Sequence, residues 1–417
     1  MATKFRRKFR LPLDLVHDIV EQLGRERSDV ADKPAGGGRG KGPARHPLIM
    51  KVLAALRHLA KGDDYESLED ASQISESTLK KFIPSFMNWF AKSVSPNWVK
   101  LPEGEALQDS MAVYKRLGFP GAYCETDGVH LAWDACPSKW HAKFKGKEAY
   151  PTLAFNVSVL HSKWIIHTTT WVAGTVNDKT QAKNDDLLHD LRAQKIHPEI
   201  VYYLYDSQGA RIPHTGVYAL VDNGYLQWRC LQAPLKHAAG DDGALWSKRL
   251  ESVRKGVECT FGILKRRFRI LRQAFQLRDP EAINDIFTSC CALHNMLLQY
   301  DRLHTIGRRP ADWVPAHVYR QREAVDVDRS KHVVRAPAPK SVPAQAELGF
   351  FTLREALITH YAQATAKREL GWLRPASEVR SRGHDAEDHE EAEPEFDEDE
   401  DEAHQFEEGD DSDTGSE

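Results

Sequence analysis

WSKRLESVRKGVECTFGILKRRF (residues 246–268) reads as one long helix, and its two faces organise the rest of the chain. Trp246, Leu250, Val253, Val257, Phe261, Leu264 and Phe268 recur at spacings of four and three, which draws a single apolar stripe down a helix expected from Trp246 to about Leu271. At about 100° per residue, Glu258 falls at the edge of that stripe, with Arg254 and Lys265 on nearly the same line. A carboxylate there leans over whatever the helix packs on without being entombed. The same spacing also lets Glu258 simply pair with Arg254 on a solvated face.

Upstream, the period changes to that of strands. YCETDGVHLAWDAC (123–136) holds two short candidate strands around an expected turn at Asp127-Gly128. TLAFNVSVL and KWIIHTTTWVAG follow as a second pair, NDDLLHDLRAQ (184–194) reads as a helix, and EIVYYLYD and VYALVD read as further strands. A last helix is expected over 281–300. Strands, helix, strands and then long helices imply a layered α/β or α+β domain.

Asp127 and Asp222 each close an apolar stretch, Asp222 ahead of the turn residues Asn223-Gly224, and thirty-five residues separate Asp222 from Glu258. Two carboxylates at strand ends and one on a flanking helix can converge. Such oxygen ligands suit Mg²⁺ or Mn²⁺, and a pair of ions of this kind supports in-line displacement at phosphorus. Each acid alone is as well explained as a turn former or a surface ion pair, and Asp134 and Asp206 also follow strand-like runs.

The N-terminal part is helical. TKFRRKFR (3–10) is a basic run, residues 12–25 have helical spacing, and residues 31–47 are a Gly- and Pro-rich linker. Leu48 to Leu59, about Ser67 to Gln73, and a segment from Ser75 through Phe86 then form three helical patterns, with Ser75 placed to cap the third and Pro84 expected to kink or stop it. A short helix, a tight turn and a helix opening on Ser/Thr/Lys match a helix-turn-helix, although an ordinary helical bundle shows the same pattern. Residues 301–345 lack periodicity and read as a linker, whereas 348–373 form an amphipathic helix that should dock on the domain.

Composition sets the boundaries. The 417 residues are 41% hydrophobic and 28% charged, with no run long enough to span a membrane. Six cysteines without a CxxC argue against a disulfide framework or a zinc knuckle. The net charge of −4 conceals 19 acids and no Lys or Arg after residue 382, against 42 acids and 57 bases before it. A basic body favours polyanions, and an acidic tail is expected to be disordered, where it either competes for that surface or only aids solubility.

TDGVHLAWDACP, VAGTVNDK, LVDNGYLQWRCLQAP, RKGVECTFGILKRRFRIL and CCALHNML together resemble the Harbinger-type (PIF/Harbinger) transposases, which are DDE superfamily endonucleases, over roughly residues 45–300. The resemblance implies an RNase H-like catalytic domain over 118–300, a central mixed sheet flanked by helices, preceded by a helix-turn-helix-like region over 48–100 that follows a basic arm, helix and linker (1–47). A linker (301–345), a docking helix (346–375) and an acidic disordered tail (376–417) complete the expected organisation. The resemblance assigns Asp127, Asp222 and Glu258 as catalytic metal ligands for two divalent ions, Mg²⁺ or Mn²⁺. Asp178, Arg254 and His294 are expected to support them, although Lys179 stands where the family has Ser. Lys265, Arg266, Arg267 and Arg269 would hold DNA phosphates, and Ser75, Ser77, Thr78 and Lys80 would read terminal repeats. The implied activity is metal-dependent cleavage and transfer of DNA strands in the nucleus. Implied partners are transposon-end and target DNA, a Myb-like DNA-binding protein and a second copy of the chain as a homo-oligomer. Two other readings fit the same residues: a domesticated, non-cleaving DNA-binding regulator, and an RNase H-like nuclease acting on RNA or hybrids.

Overall fold

The computed structural model describes residues 2–30, 46–236, 240–305 and 347–371. Most of the expected 31–47 and 301–345 linkers, and all of the acidic tail, lie outside the described residues. The basic run is itself helical, α1 (Ala2–Phe9), and is followed by α2 (Leu13–Glu26), α3 (Leu48–Lys61), α4 (Tyr65–Ser72), α5 (Glu76–Trp89), α6 (Ser95–Trp98) and α7 (Gly104–Arg116). Then come β1 (Ala122–Ala132), α8 (Ser138–Phe144), β2 (Thr152–Val159), β3 (Ile165–Thr168), β4 (Val172–Ala173), α9 (Asp178–Lys183) and α10 (Asp186–Arg192). β5 (Val201–Tyr205), β6 (Arg211–Thr215), β7 (Tyr218–Leu220) and β8 (Leu231–Gln232) lead into α11 (Asp241–Arg267), α12 (Pro280–Tyr300) and α13 (Leu348–Ala366).

Six strands form a mixed sheet in the order β3-β2-β1-β7-β8, with β4 also on β2, while β5 and β6 make a separate hairpin. β1–β2 and β2–β3 pair antiparallel, and β1–β7 and β7–β8 pair in parallel. The turn expected at Asp127-Gly128 does not exist. Both residues sit inside one eleven-residue strand, opposite Val157 and Asn156 of β2. Asp-Gly is a turn former only where the ladder does not claim its backbone, and here β2 does. Asp127 therefore projects from the middle of the sheet.

One core joins the helical region to the sheet. Val52 and Leu56 of α3, Phe86 of α5, Val129 and Leu131 of β1, Phe155 of β2 and Phe287 of α12 belong to a single buried cluster with Val257, Phe261 and Leu264 of α11. A second cluster lies under α10, around Leu187, Leu188, Tyr225 and Trp228. In the third, Trp246, Leu250 and Val253 meet Leu353, Leu357 and Tyr361, so α13 docks as expected. The stripe of α11 is thus shared: its first half faces α13, and its second half faces the sheet and α12.

Pro84 neither stops nor ends α5, which runs on to Trp89 and into a wider π turn over Phe90–Val94. Pro84 is exposed, so water can serve the carbonyl it leaves unpaired. Ser75 stands at the N-cap of α5 without capping it. Its hydroxyl lies 3.3 and 2.9 Å from those of Ser77 and Thr78, and Glu69 of α4 accepts the Glu76 amide at 2.9 Å instead. The six cysteines are free thiols, all buried but Cys259. Among the described residues no helix is long and apolar enough to cross a membrane.

Candidate active site

The register of the sheet brings two of the three acids together. β1 and β7 pair in parallel with Glu125 beside Leu220, and following the chains two residues further sets Asp127 alongside Asp222. Asp222 leaves β7 into a turn in which its Oδ1 accepts the Gly224 amide at 2.6 Å. Asp127 Oδ1 accepts the amide of Gly128 at 2.8 Å. Asp178, the first residue of α9, approaches from the side: a Cβ at Gly224 would overlap Asp178 Oδ2 and come within 2.9 Å of Asp222 Oδ1. Gly224 is glycine because two carboxylates occupy its side-chain space.

α11 supplies the rest. Glu258 is bound to Arg254, whose Nη2 lies 2.9 Å from Glu258 Oε1 and 3.0 Å from Glu251 Oε2. The same guanidinium reaches Asp127 Oδ2 through Nη1 at 3.0 Å. Arg254 is only 8% exposed, whereas Glu258 stays largely in solvent, so the pair joins a buried cation to an exposed carboxylate. It is a bracket between helix and sheet. Among the described residues no three His, Cys, Asp or Glu side chains are gathered closely enough to hold an ion. Arg254 stands between Asp127 and Glu258 in this arrangement.

The electrostatics report crowding of negative charge. Burial is the main cause that lifts the Asp127 carboxyl to about 6, with the charges of Asp222 and Glu258 adding to it and the Gly128 amide and Arg254 opposing it. Asp178 is raised too, by burial first and then by Asp222, against the pull of Lys147. Behind them, the fully buried Tyr225 is kept neutral by burial and then by Asp127, Asp178, Asp185 and Asp222. Its hydroxyl donates to Asn156 Oδ1 at 2.5 Å, and Asn156 donates to Asp185 Oδ2 at 2.6 Å. Asp185 also caps α10 through the Leu188 amide and lies 3.2 Å from His167 Nε2. Of this buried chain only Tyr225 lies in a motif of the transposase resemblance; Asn156, Asp185 and His167 do not.

A model of the plant transposon protein family matches residues 96–305. The chain belongs to the plant transposon protein family. It is thus transposase-related, and the matched span holds Asp127, Asp178, Asp222, Arg254, Glu258 and His294 alike. No curated protein and no solved structure matches it.

The remaining sequence-derived residues of this transposon-family protein divide sharply. Arg266 and Arg269 are exposed, and Lys265 is partly buried with Nζ donating to the His130 carbonyl at 3.1 Å. Arg267 is partly buried, with Nη1 2.9 Å from His294 Nδ1, and burial lowers it to about 10. His294 is itself pushed down to about 3 by burial and then by Arg267, and its Nε2 lies 3.0 Å from the Lys163 carbonyl. No contact joins it to the acids among the described residues, so it braces α12 against the turn before β3. On α5, Ser75, Ser77 and Lys80 are exposed and Thr78 is half-buried, with Lys80 paired to Glu76 at 2.6 Å. Of the other strand-end acids, Asp206 caps its own turn and Asp134 accepts from Gln276 at 2.7 Å.

Proposed function

We propose that this chain is a DDE-type DNA endonuclease or transposase of the Harbinger kind, with Asp127, Asp222 and Glu258 as its catalytic carboxylates. The observation that supports this reading is the register that sets Asp127 alongside Asp222 on adjacent parallel strands, with Asp178 next to Asp222 and Arg254 linking Asp127 to Glu258 of α11. The strand order, three antiparallel strands continued by two parallel ones, supports an RNase H-like fold. Hard oxygen donors suit Mg²⁺ or Mn²⁺, which Asp127, Asp222 and Glu258 would hold, with Asp178 in support. When bound, such ions supply Lewis-acid activation of water and neutralise charge on a phosphate.

The chain's own residues do the remainder. Asp127 and Asp222 are fixed by backbone amides and need little reorganisation. Arg254 orients Glu258 towards the sheet. Arg266 and Arg269 stand free on the surface to take phosphates, while α4 and α5 supply the helix-turn-helix that would bind terminal repeats. The nucleus follows from the substrate.

The test is cleavage of end-containing DNA with Mg²⁺ or Mn²⁺ by the wild-type chain and by Asp127→Asn, Asp222→Asn and Glu258→Gln. Loss of cleavage by at least about a hundredfold with DNA binding retained is expected. Unchanged cleavage in the three variants refutes the assignment. One observation favours a second reading, a DNA-binding protein without cleavage: Arg254 neutralises the acids from within. That reading requires a wild type that binds DNA and cleaves none.

A further inference from the structure

The connection between β1 and β2 carries charge that the proposed function does not use. KWHAKFKGKEAY (139–150) contains Lys139, Lys143, Lys145 and Lys147 against the single acid Glu148, and all four lysines are exposed. A run of lysines on a mobile loop would mean little. This one is anchored from below. Trp133 and Phe144 meet edge to face at 5.0 Å, Trp140 stacks on Phe144 at 6.1 Å, and Phe144 packs on Trp171 at 5.9 Å. The Trp133 indole donates to the Leu277 carbonyl at 2.7 Å.

The anchored segment runs beside the acidic centre. The Thr175 hydroxyl donates to the Lys143 carbonyl at 2.7 Å, Lys145 bridges Pro151, and a Cβ on Gly146 would overlap the Gly174 carbonyl. Residues 174–177 lead directly into Asp178, and the Lys147 ammonium opposes the rise of the Asp178 carboxyl. Lys179 and Lys183, exposed on α9, continue the same positive edge. No ion pair among the described residues ties up Lys143, Lys145, Lys147 or Lys179. Tyr150, half-exposed at the end of the segment, offers an aromatic face.

We propose that residues 139–150 form a phosphate-backbone strip that seats a DNA strand beside Asp127, Asp178 and Asp222. This rests on the DNA-nuclease reading above. An acidic centre repels its polyanionic substrate, and a fixed row of ammonium groups at its rim offsets that repulsion without reading sequence. Tyr150 stacks on a base where the strand is single.

The experiment uses the full chain in EDTA, so that only binding is read. Dissociation constants for a 30-base-pair duplex of arbitrary sequence, and for the corresponding single strand, are measured from 50 to 300 mM KCl. With Lys143, Lys145 and Lys147 changed together to Gln, duplex affinity should fall about 100-fold at 100 mM KCl, and the log–log salt slope should shrink by about 2 to 3. The matching triple Arg variant should keep both values, because it preserves charge at exposed positions. Tyr150→Ala should weaken the single strand about tenfold and the duplex less. A Gln triple with wild-type affinity and slope overturns the strip while leaving the nuclease reading intact. A wild type that binds neither DNA overturns both.

Discussion

Replacing Arg254 by Gln keeps the hydrogen-bonding stem and removes the charge that brackets Asp127, Glu251 and Glu258. Glu251 and Glu258 have side chains 37% and 47% exposed, so their share of the loss is ~1 kcal/mol or less together. Asp127 is 19% exposed and carries the larger share. Its carboxyl, at about 6 in the fold against an ordinary 3.8, already costs the folded state ~3 kcal/mol when ionised above pH 6. Because the folded value lies above the unfolded one, this group favours folding at low pH, and that contribution disappears as pH rises through about 6. Without Arg254 the carboxyl rises further, and protonation caps the damage. At pH 8 the additional loss is at most ~3 kcal/mol, the free energy of holding a proton two pH units above the wild-type value. At pH 5 Asp127 is mostly protonated in the wild type and has little left to lose. Urea unfolding of Arg254→Gln in EDTA should therefore show a deficit of ~2–3 kcal/mol at pH 8 that shrinks to ~1 kcal/mol or less at pH 5. An equal deficit at both pH values, or none at pH 8, would show that Arg254 does not carry the charge of Asp127.

Three further outcomes follow from neighbouring contacts. Gly224→Ala should drive the Asp178 and Asp222 carboxylates apart and lower Mn²⁺ affinity, read by calorimetry, about tenfold or more, with less than ~1 kcal/mol of stability lost. Asn295→Ala removes bonds to the Ile165 amide, the Ile165 carbonyl and the Trp98 carbonyl, and should cost ~3 kcal/mol with loss of hydrogen-exchange protection at Ile165. Burial pushes the Asp185 carboxyl up, but His167, the Leu188 amide and Asn156 outweigh it and hold it below its ordinary value. Its contribution is therefore full above the ordinary carboxylate range and lost as pH falls through the lowered one. Asp185→Asn should cost ~3 kcal/mol near neutrality and flatten the acid limb of the stability profile.

Much of this arrangement was legible residue by residue. The α11 stripe, the strand pair of β2 with β3 and β4, α2, α12 and the docking of α13 all follow from apolar periodicity, a local signal that survives folding. The proposed acids stand in the quoted motifs, as does Asp178. What escaped was short or polar. RIPHT gives no strand signal and yet pairs with VYYLY as β6, and two residues suffice for β8. The Asp127-Gly128 turn was misread because the partner that extends the strand, β2, lies more than twenty residues away.

The sequence by itself determined the residues of the proposed centre and the helix that carries the last of them, because residue type and helical period are properties of the chain. Only the tertiary structure decided how those residues stand. Parallel pairing of β1 with β7 put Asp222 beside Asp127, and the packing of α11 across β1 lodged Arg254 between Asp127 and Glu258. The aromatic anchor under residues 139–150 laid a row of lysines along the same edge. Each depends on strand register and on contacts between distant segments, which no local pattern encodes.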